Sequence, residues 1–380
     1  MNIGVPAEIR PNEMRVAATP DTVKKLVNLG HSLRVESGAG AAAHFPDSAY
    51  AAAGATLVEA DAAFGAQTVL KVHSPEDDEL RLMKPGTVVI GMLDPFNASN
   101  MRALADAGLT AFSLEAAPRT TRAQSMDVLS SQANIAGYKA TLVAMSMYQR
   151  FVPMLMTAAG TVKAARILIL GAGVAGLQAI ATAKRLGAVV EASDVRPAAK
   201  EQIESLGAKF LDVPYETDEE REAAVGVGGY ARPMPGSWLE RQSALVHQRA
   251  IQADIIISTA LIPGRTAPTL IHEHTVEKMK PGSIIVDLAA GRGAQYQGRA
   301  GGNCPLTEAD KVVVRHGVRL VGHTNFASML ATDASELYAR NLLNFLALIT
   351  GPDATVSIDP ADPIVAATLF ARDGQVLRTL

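Results

Sequence analysis

The run Arg166-Ile-Leu-Ile-Leu170 leads straight into Gly171-Ala172-Gly173-Val174-Ala175-Gly176, and Leu177 to Leu186 continues with helical spacing. A second apolar run, Ala188 to Ser193, then ends on Asp194. Strand, GxGxxG turn, helix and acid-terminated strand make one βαβ unit, and this context gives the glycine pattern its meaning. Gly171 permits the tight turn, Gly173 lets the backbone approach a pyrophosphate, and Gly176 lets helix and strand pack closely. The helix start offers unpaired N–H groups and a partial positive charge to phosphates. Asp194 is placed to accept hydrogen bonds from both ribose hydroxyls and to repel a 2′-phosphate, which favours NAD over NADP.

A chain of 380 residues has room for two domains with separate cores. Its 48% hydrophobic and 19% charged residues describe a folded chain rather than a disordered one. Net charge −3 and 4% aromatics give no electrostatic or stacking reason to expect nucleic acid as a partner. Cys304 is the single cysteine, so no intramolecular disulfide exists, and its Gly301-Gly-Asn-Cys-Pro305 setting reads as a small structural residue rather than a reactive thiol. The N-terminus has neither signal-peptide nor transit-peptide character. The longest apolar stretch, Ala140 to Val162, is broken by Gln149, Arg150 and Pro153, so no membrane crossing is expected. No metal site is expected either.

Short β-type runs alternate with helical stretches almost from end to end, the pattern of parallel α/β sheets. Candidate strands in the first third are Ile3–Val5, Ser32–Val35, Val69–Val72, Val88–Gly91 and Ala111–Leu114, with helices at Thr22–Leu29 and Ala98–Ala107. This third lacks a glycine fingerprint and is a poor second nucleotide site. Leu129 to Ala158 reads as one long helical region, with Pro153 marking a kink or junction. Further strands follow at Lys209–Val213, Asp254–Thr259, Ser283–Asp287 and Val318–Val321, and Ser328–Ile349 is a second long helical pattern. The expected fold is α/β, with two Rossmann-like doubly wound domains joined by long helices and a ligand cleft between them. Residues 1–133 with 327–380 would form one domain, and 134–326 the nucleotide-binding one.

One segment resists the alternation. Glu216-Thr-Asp-Glu-Glu-Arg-Glu222 reads as a solvated helix face, and Gly226 to Gly236 is too rich in Gly and Pro for a strand or helix. A long loop in a compact domain is either functional or merely flexible, and Tyr230 among permissive residues suits a lid closing over a cofactor.

The polar run Pro118-Arg-Thr-Thr-Arg-Ala-Gln-Ser-Met-Asp-Val-Leu-Ser-Ser131 goes further. With Thr157-Ala-Ala-Gly-Thr161, Asp194-Val-Arg196, Gly228-Gly-Tyr-Ala231, Gly301-Gly-Asn-Cys304 and Gly322-His-Thr-Asn325, it resembles the NAD(H)-binding alpha subunits of proton-translocating nicotinamide nucleotide transhydrogenases. The resemblance runs from the first residues to about Leu348, and the superfamily also holds alanine dehydrogenase. It implies direct hydride transfer between NADH here and NADP⁺ on an NADP(H)-binding component, coupled to proton movement through a membrane-spanning proton-channel component. It also implies a homodimer, peripheral on the inner face of the cytoplasmic membrane through its partners.

By the same resemblance, Arg119 and Asp127 form a charged pair beside the nicotinamide, Gln124 faces the incoming NADP(H) component, and Ser130 holds the carboxamide. Tyr230 belongs to a mobile loop. The nucleotide would be bound by Gly171, Gly173, Val174, Ala175, Gly176, Asp194, Val195, Arg196, Gly229 and Leu261. Such residues orient two rings and exclude water rather than take a substrate proton.

The rival is amino-acid oxidation. Alanine dehydrogenases place a substrate lysine in a Lys-Val-Lys-Glu-Pro stretch, where this chain has Lys71-Val-His-Ser-Pro75, and an acid/base histidine where it has Met92-Leu-Asp-Pro95. Their later aspartate falls near Gly291. Arg15 matches their substrate arginine but is shared by transhydrogenases, and His73 reads as a partly exposed strand-end histidine. The chain also departs from the transhydrogenase pattern, with extra residues at Ala290–Ala300 and Phe326-Ala-Ser-Met329 in place of a Pro-Ser-Arg turn. A non-catalytic NAD(H)-binding paralogue is the alternative these departures leave open.

Overall fold

The computed structural model describes residues 1–225 and 232–378. By its internal packing the chain divides into two compact units, residues 1–132 with 327–380 and residues 133–326.

The first unit opens with β1 (Asn2–Val5), α1 (Pro20–Asn28), β2 (Ser32–Glu36), α2 (Asp47–Ala52), β3 (Thr56–Val58), α3 (Ala60–Phe64) and β4 (Thr68–His73). It continues through α4 (Asp77–Leu80), β5 (Val88–Met92), α5 (Ala98–Asp106) and β6 (Thr110–Ser113). Helix α6 (Val128–Met147) carries the chain across the division at residue 132. The second unit contains the hairpin β7 (Leu155–Thr157) and β8 (Gly160–Val162), then β9 (Arg166–Leu170), α7 (Val174–Arg185), β10 (Val189–Ser193), α8 (Ala199–Ser205) and β11 (Lys209–Phe210). After these come α9 (Asp218–Val225), α10 (Gly236–Ala250), β12 (Ile255–Ser258), α11 (Glu273–Val276), β13 (Ile284–Asp287), β14 (Gln295–Tyr296), β15 (Arg299–Ala300), β16 (Val312–Arg315) and β17 (Val318–Val321). The first unit is completed by α12 (Ala331–Leu346), α13 (Pro363–Thr368), β18 (Leu369–Arg372) and β19 (Gln375–Val376).

Both sheets share one doubly wound order. The first reads β3-β2-β1-β4-β5-β6 in parallel, extended by antiparallel β18 and β19. The second reads β11-β10-β9-β12-β13-β17 in parallel, closed by antiparallel β16. Central strands buried on both faces must be apolar throughout, and Ile255-Ile-Ile257 and Ile284-Ile-Val286 are fully buried. Each such side chain contributes roughly 1.5–3 kcal/mol. In both sheets the order reverses beside the first strand, between β1 and β4 and between β9 and β12, and ligands of this fold sit outside the strand ends there.

Three sequence expectations need correction. The helical reading of Leu129–Ala158 ends early: α6 stops at Met147, and Leu155–Thr157 pairs antiparallel with Gly160–Val162. Pro153 cannot donate to a helix and restricts the residue before it, while its ring packs where a Cβ on Gly187 would stand only 2.7 Å away. The strand read at Lys209–Val213 pairs over Lys209–Phe210 alone. The Gly/Pro-rich stretch ends in a helix, because Gly236 opens the fifteen-residue α10. Among the described residues no helix is long and apolar enough to cross a membrane.

Candidate functional site

The glycine turn behind β9 has three different tasks. Gly171 has φ +94°, a left-handed conformation that favours glycine, and its carbonyl accepts the Thr259 hydroxyl at 2.9 Å. A Cβ on Gly176 would stand 1.9 Å from the Gly171 carbonyl oxygen, so this position fixes how closely α7 approaches β9. Gly173 differs: a Cβ there would meet nothing within 4 Å. The absent side chain leaves open space at the N-cap of α7, beside exposed Val174 and the half-buried Ala175. The first-turn N–H groups of a helix have no intrahelical acceptor, so this space suits an anionic group. From behind, α6 touches the same turn, since a Cβ on Gly137 would stand 2.0 Å from the Ala175 carbonyl oxygen.

Asp194 follows β10 and is nearly buried. One carboxylate oxygen accepts the Ala172 N–H at 2.7 Å, which ties the acid to the glycine turn. Arg196 grips both oxygens, Nε to Oδ1 and Nη2 to Oδ2, each at 2.9 Å, and donates to the Ala172 carbonyl at 3.1 Å. A bidentate pair of this kind offsets much of the carboxylate charge. Val195 lies between them, its carbonyl held by the Tyr215 hydroxyl at 2.9 Å.

Half-buried Leu261 lies on the loop after β12. Asn303, fully buried in the Gly301–Cys304 segment, clamps that loop: its amide donates to the Ala260 and Pro268 carbonyls at 2.9 Å, and its oxygen accepts the Ala260 N–H at 3.2 Å. The segment wraps buried Asp287, which accepts the Cys304 N–H at 2.9 Å, and a Cβ on Gly302 would stand 2.2 Å from that carboxylate. Burial raises the Asp287 pKa against these hydrogen bonds. Cys304 is fully buried, and burial, then the neighbouring Asp287, pushes its thiol up to about 12, which suits a packing residue.

Gly229 and Tyr230, with the rest of Gly226–Ala231, lie outside the described residues. The two ends of that segment are well anchored. The Arg232 N–H donates to the Ala223 carbonyl at 2.9 Å, and Trp238 of α10 is buried against Val213, Ala223, Ala224 and Met234, stacked on Tyr215 at 6.0 Å. The charged run before it is not wholly solvated. Glu220 is buried, taking Arg241 at 2.7 Å and the Ser237 hydroxyl at 2.8 Å. Burial alone would raise its pKa, but the Glu216 N–H, Arg241 and Ser237 bring it down to about 2.

The polar run belongs to the first unit. Exposed Arg119 precedes a 3-10 turn, Thr121–Met126, whose Ala123 and Met126 are buried while Gln124 is exposed. Helix α12 holds the turn in place, with Asn341 and Asn344 donating to the Ser125 carbonyl at 2.7 and 3.2 Å. Asp127 caps α6, accepting the Ser130 N–H at 2.8 Å and the Ser130 hydroxyl at 2.6 Å. That capping task is not apparent from the sequence.

Near the ends of β1 and β4 lies a buried ionic cluster. Lys71 reaches Glu79 at 2.6 Å and Glu8 at 3.3 Å. Arg15 grips Glu13 with Nε at 2.8 Å and Nη2 at 2.6 Å, and donates to Gln132 at 2.7 Å. His73 ends β4 partly exposed, 2.7 Å from Glu13. Burial raises the Glu8 pKa. At Glu13 burial is overcome by Arg15 and His73, which hold the carboxyl far below its usual range.

Two family models match the chain: alanine dehydrogenase/PNT, N-terminal domain, over residues 4–136, and alanine dehydrogenase/PNT, C-terminal domain, over residues 140–379. The chain is 49% identical over 386 residues to the first portion of the split NAD(P) transhydrogenase subunit alpha of Rhodospirillum rubrum, covering 99% of this chain and 98% of that one. Its counterpart in Rickettsia prowazekii is 40% identical, with 96% and 93% covered. Among solved structures, transhydrogenase from Sinorhizobium meliloti superposes with TM-score 0.84 at 46% identity, covering 100% and 99%. An L-alanine dehydrogenase superposes with TM-score 0.79 at 26% identity, covering 100% and 97%. The glycine turn and the twin doubly wound sheets thus stand in an oxidoreductase framework, and the chain belongs to the alanine dehydrogenase/PNT family, among its NAD(P) transhydrogenase alpha subunits.

Proposed function

We propose that this chain binds NAD(H) at the Gly171–Gly176 turn and serves as the NAD(H) side of a proton-translocating transhydrogenase. The open space at Gly173, on the N-terminus of α7 and beside Asp194, carries the nucleotide reading. Gly171, Gly173, Val174, Ala175 and Gly176 receive the pyrophosphate, while Asp194, Val195, Arg196 and Leu261 flank the adenosine half. Gly229 and Tyr230 are assigned to a closing loop by resemblance. When bound, the reduced nicotinamide supplies a hydride, which the oxidised NADP⁺ ring on a partner component accepts. Arg119, Asp127 and Ser130 orient the ring, and exposed Gln124 meets the partner. The proton-channel component would hold the chain at the inner face of the membrane.

Amino-acid oxidation is disfavoured by the cluster in the first unit. The Arg15 guanidinium is buried and already doubly bound to Glu13, and Lys71 is buried between Glu8 and Glu79. Neither is presented to a substrate carboxylate.

The hairpin β7–β8 supports a homodimer. It forms a two-stranded sheet of its own, marginal in water, and Met154 and Met156 are 61% and 80% exposed on its approach and its first strand. A second copy of the chain is the proposed cover, so Met156→Lys should shift the light-scattering mass toward the monomer.

The deciding assay mixes the chain with an NADP(H)-binding transhydrogenase component and follows hydride transfer from NADH to an NADP⁺ analogue. Activity should appear on mixing, and Gln124→Asn should lower it while sparing NADH affinity. A mixture that stays inert while the chain alone oxidises L-alanine would overturn the reading.

A further inference from the structure

A second cluster of chemistry-bearing side chains lies at the edge of the second unit, on segments that the nucleotide site does not use. Glu273 and Glu277 stand four residues apart at α11, an arrangement in which like charges repel. His316 occupies the β16–β17 turn with φ +50°, followed by Gly317 at +77°. Its Nε2 lies 3.8 Å from Glu273 Oε1 and 4.0 Å from Glu277 Oε1. One ligand atom from each of the three residues falls within 4.8 Å of the others.

The extra segment Ala290–Ala300 contributes to the same place. It folds into the hairpin β14–β15 through Gln297 and Gly298, both with positive φ. Its Tyr296 donates a hydrogen bond to Glu273 Oε2, leaving Oε1 to face His316. Beside these groups opens a pocket of about 560 Å³ lined also by His272 and His274, whose rings stack at 5.5 Å.

We propose that Glu273, Glu277 and His316 bind one divalent transition-metal ion of the zinc type. Two carboxylates match the charge of the ion, and an imidazole nitrogen selects a borderline metal over calcium or magnesium, which prefer all-oxygen sets. The three side chains are 39–50% exposed, free enough for rotation to close the remaining distance to coordination. Tyr296 fixes the non-ligating oxygen of Glu273, the kind of outer contact that orients metal ligands. The ion would clip α11 to the β16–β17 turn and, through Tyr296, to the inserted hairpin. It would also turn the Glu273–Glu277 repulsion into shared coordination. A protonated His316 bridging two surface carboxylates is the competing account, and it needs no metal.

Calorimetric titration of the untagged, chelator-treated chain with zinc separates the two. One ion per chain should bind in the micromolar range or tighter and raise the melting temperature. His316→Ala and Glu277→Gln should each weaken binding by about 100-fold and abolish that rise, and Tyr296→Phe should weaken it by about tenfold. Circular dichroism and NADH affinity, both unchanged, would show that the variants are folded; Glu277→Gln keeps the test open should His316→Ala fold poorly. No saturable zinc binding, affinity unaltered by both ligand variants, or affinity lost only on replacing His272 and His274 would each overturn the assignment.

Discussion

The two units present the same switch point and use it in opposite ways. In the second unit, the crevice between β9 and β12 is lined by backbone: a left-handed Gly171, an open Gly173 and the Thr259–Ala260 loop. In the first unit, the crevice between β1 and β4 is filled by side chains, with Lys71 between Glu8 and Glu79 and Arg15 locked on Glu13. A glycine turn leaves room and N–H groups for an anionic ligand, whereas a satisfied ionic cluster occupies the room itself. Strand order therefore locates where a ligand can sit, but the first few residues after the first strand decide whether it does.

The largest effect that bears on this contrast is expected from Lys71→Met. Removing the one cation between Glu8 and Glu79 should cost about 3–5 kcal/mol by urea unfolding, with NADH affinity unchanged. A cost below about 1 kcal/mol would mean that the cluster does not hold the first crevice together.

Next come two glycines of one turn. Gly176→Ala forces a Cβ against the Gly171 carbonyl and should cost roughly 1–3 kcal/mol as well as NADH binding. Gly173→Ala meets nothing and should leave unfolding unchanged, yet weaken NADH by about tenfold in a fluorescence titration. Wild-type affinity in Gly173→Ala would show that no pyrophosphate approaches there.

The Asp194–Arg196 pair sharpens cofactor choice. Asp194→Asn should narrow the preference for NADH over NADPH by about tenfold, while Arg196→Ala, which strips the carboxylate of its counter-charge, should widen it. Equal shifts in one direction would detach selectivity from the carboxylate charge.

The smallest effect is local. Glu220 titrates near 2 when folded against an ordinary 4.5, so its contribution is complete above about pH 5 and is lost as pH falls through 4.5 toward 2. Amide exchange at the start of α10 should accelerate over that window before the β9–β12 core does. Simultaneous acceleration would mean that Glu220 anchors nothing locally.

Legibility from sequence follows the range of the interactions. Ile255–Ser258 and Ile284–Asp287 are readable because a strand buried on both faces is apolar at nearly every position. The tasks of Gly171 and Gly176 follow from a local turn, so spacing alone conveys them. Helix α10 is obscured because its first residue is the last glycine of a loop-like stretch, and β7–β8 because Met154 and Met156 fit either period. Glu220 reads as solvent-facing since nothing near it in sequence announces Arg241, twenty-one residues on. Asn303 stands in a recognisable motif without an evident task, since the Ala260 backbone it braces lies 43 residues away along the chain.

Trp238 has a practical consequence of its own. It is the single tryptophan in 380 residues, and it is buried near the start of α10, a short way along the chain from the Gly226–Ala231 segment. Its indole N–H donates to the Val213 carbonyl, and its ring lies nearly parallel to Tyr215, whose hydroxyl holds the carbonyl between Asp194 and Arg196. The chain thus carries one intrinsic indole fluorophore, wired by a single aromatic stack to the acid that would grip the ribose. Its emission can be recorded without a label or an engineered probe, and any nucleotide that moves the backbone at Val195 should be visible there as a change in colour or intensity.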